Sequence, residues 1–174
     1  MGRREILTYP HPLLRKRAIP VYEVNKIIRD LIDDMVETMY SAPGIGLAAP
    51  QVGISLRLIV VDVTRSNGGD GLIHLINPEI LWSDGSIIQE EGCLSIPGIN
   101  VEMERKEKIR VSGLDRNGKK VEINAEGLLA VAIQHEVDHL DGRLIIDRIS
   151  PLKREIYRRK MKKALMSKEA GVNR

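Results

Sequence analysis

Apolar residues recur at helical spacing between Glu23 and Tyr40: Ile27, Ile28, Leu31, Ile32, Met35, Val36 and Met39, with Asp30, Asp33, Asp34 and Glu37 mostly off that stripe. Steps of three and four put side chains on one face of an α-helix, so an amphipathic helix is predicted here, ended by Ser41-Ala42-Pro43-Gly44. The pattern then changes. "GIGLAAPQVG" (44–53) reads as a Gly- and Ala-rich loop, "LRLIVVDV" (56–63) as a β-branched strand, "RSNGGDG" (65–71) as a turn and "LIHLINPEI" (72–80) as a second strand. "SDGS" (83–86) predicts another turn, and "EGCLSIPG" (91–98) a short ordered segment. Residues 107–125 read as two strands joined at Asn117-Gly118, a dipeptide suited to tight hairpins. A helix is predicted from about Glu126 to Leu140 with Gly142 just past its end, and a last one from near Pro151, where a missing N–H is tolerated. "YPHPLLRKRAIPV" (9–21), with three prolines, is expected to be an extended lead-in.

These elements form no repeated βα units. Helix, strands joined by hairpins, then two helices favour an α+β fold with antiparallel sheet over a doubly wound one. The length, 174 residues, suits one domain with a real core. Phe is absent and there is one Trp, so that core must rely on Ile, Leu, Val and Met. No apolar run approaches the roughly 18 residues of a membrane span, and "MGRREILTYP" has no signal-like apolar stretch. A cytoplasmic location with no membrane partner is therefore expected. One cysteine, Cys93, excludes an intrachain disulfide. The formal charge of +3 is unevenly spread: residues 148–174 hold ten Lys or Arg and two Glu, giving +8, so the first 147 residues sum to −5. The chain is a mildly acidic body with a basic tail, which does not describe a general or sequence-specific DNA binder.

Two of the four histidines stand four residues apart in "QHEVDHLDG" (134–142). On a helix His135 and His139 lie one above the other and can face one ion, while Glu136, rotated by about 100°, can reach a water there instead. Such a pair also occurs by chance on helix surfaces, so the motif needs a third ligand. The extended protease pattern would put a His at 145, where this chain has Ile145 despite the matching Gly142. Glu155 follows too closely and sits among Lys and Arg. Cys93 is the better candidate, because its thiolate would be soft, charged and stabilised by a late divalent ion such as Zn²⁺ or Fe²⁺. Taken alone it could equally be a buried structural thiol. "GIGLAAPQ" (44–51) follows a helix and leads into a strand, the reverse of a dinucleotide-binding loop. Its glycines suit a close approach to an extended substrate. The Gln51 amide could face a developing oxyanion or simply cap a turn.

"GIGLAAPQ", "EGCLS" (91–95) and "QHEVDHLDG" together resemble the bacterial-type peptide deformylases, over nearly the whole chain. The resemblance implies a metal-dependent hydrolase that removes the N-formyl group from N-formylmethionine at the start of nascent polypeptides. It implies Cys93, His135 and His139 as metal ligands, Glu136 as general base and proton shuttle, and Gln51 with the Leu94 N–H as oxyanion donors. It sets Ile45, Gly46 and Gly92 beside the substrate backbone and Leu128, Val131 and Ala132 near the methionine pocket; helical spacing also puts these last three on or near the histidine face, where packing is their alternative role. Fe²⁺ is the implied ion, with Zn²⁺ or Ni²⁺ as alternatives. Asn100 stands where many members have an Arg, and Arg105 could pair with Asp138. The expected architecture is α+β, with antiparallel or mixed β-sheets around a central metal-binding helix and N-terminal and C-terminal helices. Residues 1–150 would form the catalytic part, and 151–174 a basic helix and frayed tail of the same domain, docking on the ribosome. A zinc peptidase and a noncatalytic RNA- or ribosome-binding module are the competing classes. Ile145 and the "EGCLS" block count against the first, and a full ligand triad beside a base against the second.

Overall fold

The computed structural model of the protein describes residues 2–65 and 69–172. Ser66, Asn67 and Gly68 of the predicted 65–71 turn, and the last two residues of the tail, lie outside them. Helix α1 (Lys26–Ser41) is capped by the Asn25 side chain, which accepts from Ile28 N at 3.1 Å. It buries Ile28, Leu31, Ile32, Met35 and Met39 as expected, but Ile27 is exposed.

Five strands form one antiparallel sheet in the order β1 (Gly46–Ala48), β2 (Leu58–Val61), β3 (Ile73–Asp84), β6 (Lys108–Leu114), β7 (Lys120–Glu126). A separate hairpin pairs β4 (Ile87–Cys93) with β5 (Ile96–Arg105). β2 explains its own unbroken apolar run. Ile59 and Val61 pack with Ala132 and Ile133 of helix α2 (Leu128–Leu140), while Leu58 and Val60 pack with Leu31 and Met35 of α1, so both faces of the strand are covered. The predicted hairpin at Asn117-Gly118 joins β6 to β7, and Gly118 has the positive φ such a turn requires, +80°.

Three expectations change. The 44–53 segment is not all loop: it contains β1 and a 3₁₀ turn, Ala49–Val52. The lead-in holds a 3₁₀ turn at Pro12–Arg15. Residues 91–98 are the tip of the β4–β5 hairpin, whose strands the sequence reading did not find. β5 does alternate, burying Val101, Met103 and Arg105 and exposing Glu102 and Glu104, but an inward arginine disguises the period. A third core cluster beneath it joins Tyr9, Ile96, Val101, Met103 and Tyr157 of helix α3 (Pro151–Val172). No helix among the described residues is long and apolar enough to cross a membrane.

Candidate metal centre

Helix α2 runs through the middle of the molecule, with Ala130, Val131, Ala132, Ile133, Glu136, His139 and Leu140 buried. Its pitch sets the His135 and His139 rings edge to face, centroids 5.1 Å apart. The β4–β5 tip brings in Cys93 from a distant part of the chain, Sγ 3.3 Å from His139 Nε2. One donor atom from each of Cys93, His135 and His139 lies within 4.8 Å of the other two.

A carboxylate orients the first imidazole. Glu91, two residues before the cysteine, has Oε1 2.9 Å from His135 Nδ1. An ionised carboxylate only accepts, so Nδ1 carries a proton and Nε2 is the nitrogen a cation would take, displacing any proton there. Arg105 grips Glu91 with two bonds of 2.8 Å and donates to Asp138 Oδ2 at 2.6 Å. The Arg105–Asp138 pair expected from sequence is thus one half of a network that ties both hairpin strands to α2. Glu91 itself was missed: in sequence it is one of two adjacent glutamates on a strand, and only the fold faces it to a histidine.

Gln51 is buried, with Oε1 accepting from Ala48 N at 2.9 Å. That bond settles which end of the amide is which, leaving Nε2 facing Ser95 Oγ at 3.1 Å and Cys93 Sγ at 3.8 Å. Ser95, fully buried, is a second residue the sequence reading missed. Glu136 is also buried and sits against β1: a Cβ on Gly46 would come within 2.5 Å of its Oε1. The glycine expected to admit substrate therefore also admits the carboxylate.

A cleft of about 390 Å³ opens over these groups. Ile45, Gly46, Gln51, Gly92, Cys93, Leu94, Leu128, Val131, Ala132, His135 and Glu136 all line it, together with Gln89, Glu91 and Arg65, which had not been singled out. His139 lies behind the lining and is buried. Asn100 is exposed on β5, its side chain close to Gly92.

Burial dominates the electrostatics of the site. Burial pushes the Glu136 carboxyl up to about 7, with Glu91 and Asp138 adding to the effect and His135 and Arg105 opposing it. Burial also pushes His139 well below the usual histidine value, reinforced by His135 and Arg105. At His135 burial acts the same way, but hydrogen bonds to Cys93 and Glu91 outweigh it and hold the ring above its usual value. Among the described residues Glu136 Oε2 and His139 Nδ1 are buried without a hydrogen-bond partner. A soft thiolate, two imidazoles and an orphaned carboxylate oxygen fit a late divalent ion and a small polar molecule better than a dry core.

Glu91 yields a prediction about acid. Burial would raise its carboxyl, yet Arg105 and His135 hold it down, to about 2. A depressed carboxyl contributes stability that is fully present above the ordinary value of 4.5 and is lost as pH falls through about 2. The ¹³C carboxyl resonance of Glu91 should therefore stay flat through pH 4.5, where an ordinary glutamate is half titrated. A midpoint there would mean that Arg105 does not hold it.

A sequence profile of polypeptide deformylases matches residues 3–155. The chain is 59% identical over 162 residues to the peptide deformylase of Thermodesulfovibrio yellowstonii, covering 93% of this chain and 98% of that one. It is 55% identical over 165 residues to that of Syntrophobacter fumaroxidans, covering 95% and 97%. Among solved structures, a peptide deformylase from Legionella pneumophila superposes with a TM-score of 0.87 at 48% identity, covering 95% of this chain and 97% of that one. The Ehrlichia chaffeensis enzyme in complex with actinonin gives 0.89 at 38% identity, covering 94% and 98%.

Proposed function

The chain belongs to the polypeptide deformylase family, hydrolases that release formate from N-formylated nascent polypeptides, and we propose that Cys93, His135 and His139 hold its metal ion while Glu136 moves the protons. The observation that carries this assignment is the convergence of one thiol and two imidazoles within 4.8 Å at the floor of the cleft, beside a buried carboxylate. When bound, the ion supplies Lewis acidity to water and to the formyl carbonyl. Fe²⁺ is our assignment in the cell, with Zn²⁺ or Ni²⁺ as alternatives; the thiolate–imidazole set suits all three.

Glu136 accepts a proton from the attacking water, whose oxygen bonds to the formyl carbon. The Gln51 Nε2–H and Leu94 N–H face the carbonyl oxygen as its charge grows. The C–N bond then breaks, and Glu136 returns a proton to the departing amine, leaving formate and a free N-terminus. Cys93 is a ligand in this reading, so no acyl-enzyme forms. Ile45, Gly46 and Gly92 lie beside the substrate backbone, and Leu128, Val131 and Ala132 receive the methionine side chain.

Formate release from a formyl-Met peptide by anaerobically prepared protein, with bound metal quantified in the same sample, tests the assignment. One ion per chain is expected, and activity should vanish with the ion. Cys93→Ser should weaken the metal by more than the ~10–100-fold that losing an outer hydrogen-bond partner costs. Unchanged affinity in competition with a chelator would reduce Cys93 to packing.

Helix α3 suggests where the enzyme works. Its first turns are anchored, since Tyr157 is buried, stacks on Tyr9 and donates to Pro97 O at 2.7 Å. Residues 162–171 are exposed and carry Lys162, Lys163 and Lys168 against Glu169. We assign this end to electrostatic docking on the ribosome in the cytoplasm, where formylated chains emerge. Removing the whole helix would also uncover the Tyr157 core. Lys162→Gln with Lys163→Gln and Lys168→Gln is the cleaner test and should weaken a salt-dependent association with purified ribosomes. Binding equal to the unaltered protein at every salt concentration would remove the proposal.

A further inference from the structure

Roughly opposite the cleft-facing stripe of α2, Gln134, Val137, Asp138 and Asp141 border a second concavity, of about 590 Å³. Its lining holds six cations, Arg17, Arg57, Arg105, Lys106, Arg143 and Arg148, and four carboxylates, Glu79, Glu104, Asp138 and Asp141. Two of the cations are engaged. Arg105 is held by Glu91 and Asp138, and Arg57 donates to Asp141 Oδ1 at 3.2 Å. Glu104 accepts from Ser86 Oγ at 2.7 Å. Arg17, Lys106, Arg143 and Arg148 are exposed and without an ion-pair partner among the described residues.

The fold gathers these cations from far apart. The lead-in supplies Arg17, the β5–β6 turn Lys106, and the α2–α3 connection Arg143 and Arg148. Ala18 N donates to Leu140 O at 2.8 Å, which fixes the lead-in against the end of α2. Gly142, at φ +71°, packs so closely on the backbone of Arg15 and Lys16 that no side chain would fit. Arg17 is therefore fixed on the same rim as Arg143. Residues 1–147 sum to −5, yet five of their cations, three of them without an ion-pair partner among the described residues, meet Arg148 here.

We propose that this groove docks the phosphodiester backbone of RNA, carrying the basic surface of α3 onto the catalytic body. Unpartnered guanidinium groups match phosphate geometry, and the lining has no aromatic ring on which a base could stack, so the contact reads backbone rather than sequence. Arg148 stands three residues before α3 begins, which sets the groove beside the start of that helix. The groove extends the ribosome reading of α3, and the two fail separately in one experiment.

Full-length, metal-loaded protein is titrated onto a short RNA duplex across a salt series, using fluorescence anisotropy. Beside it are a groove variant, R17Q/R143Q/R148Q, and a tail variant, K162Q/K163Q/K168Q. Each lost phosphate contact should lower the slope of log K against log[salt] by about 0.9, so the groove variant should lose about 2–3. Its formate release from a soluble formyl-Met peptide and its metal content should match the unaltered protein. An unchanged slope in the groove variant overturns the proposal, whatever the tail variant does. A lowered slope there with an unchanged one in the tail variant upholds the groove and removes the α3 reading. Displacement of the RNA by poly-glutamate at equal charge concentration overturns the phosphodiester assignment in favour of an acidic protein partner.

Discussion

Glu136→Gln should retain the metal and lose about 10²–10⁴ in kcat for formate release, the usual weight of a positioned acid–base group. Gln keeps the shape of the side chain but cannot accept the water proton or deliver it to the amine. The position leaves no ready substitute. Glu136 is buried, with Gly46 against one oxygen and no hydrogen-bond partner on the other among the described residues. Burial pushes its carboxyl up to about 7 before any ion binds, and a divalent cation beside it would draw that value down. KM should change far less than kcat, because the lost interaction belongs to the transition state. Metal-replete E136Q with near-normal turnover would sink the role.

Arg105→Met should destabilise the protein by about 3–5 kcal/mol and weaken the metal by about 10–100-fold. The guanidinium is buried, its affinity for its proton raised by Glu91 and Asp138 against the cost of burial. Methionine fills similar space but leaves Glu91, whose side chain is 6% exposed, as a buried charge held by His135 alone. Asp138 is 25% exposed and suffers less, since water can replace the lost bond. Glu91 is also the acceptor that orients His135, so stability and metal affinity should fall together. Denaturant unfolding of chelator-treated protein gives the first quantity and competition with a metal indicator the second. A stability loss under about 1 kcal/mol would mean that the pair is no better than a surface ion pair.

Periodicity and turn chemistry carried much of the architecture. β2, β6 and α2 lie within the ranges that spacing assigned them, and α1 and β7 run one residue past theirs, because each is governed by contacts a few residues apart. The β4–β5 hairpin escaped because its clearest local signals, Gly92, Pro97 and Gly98, describe the bend at its tip, while the inward place on β5 that would have completed an apolar alternation is Arg105. β3 runs past the assigned Ile80 to Asp84, because Ser83-Asp84 of "SDGS" continues the strand and only Gly85-Ser86 turns. Its pairing also shifts register at Asn77, φ +53°, and Pro78, a break that periodicity does not reveal.

The candidate site divides along the same line. A helical pitch is a local property, so the sequence alone determined that His135 and His139 share a face and that Glu136 stands beside it. Residue chemistry also made the lone cysteine the natural third donor. Tertiary structure decided what those groups meet. Glu91 and Arg105 face each other across a hairpin, Gly46 makes room for Glu136 from another strand, and Ser95 shares the Gln51 amide with the thiol. None of these pairings has a period or a spacing to read, since each forms between segments joined only when the core closes. The sequence thus determined which groups are candidates for the chemistry, and the fold decided how they are held, charged and buried.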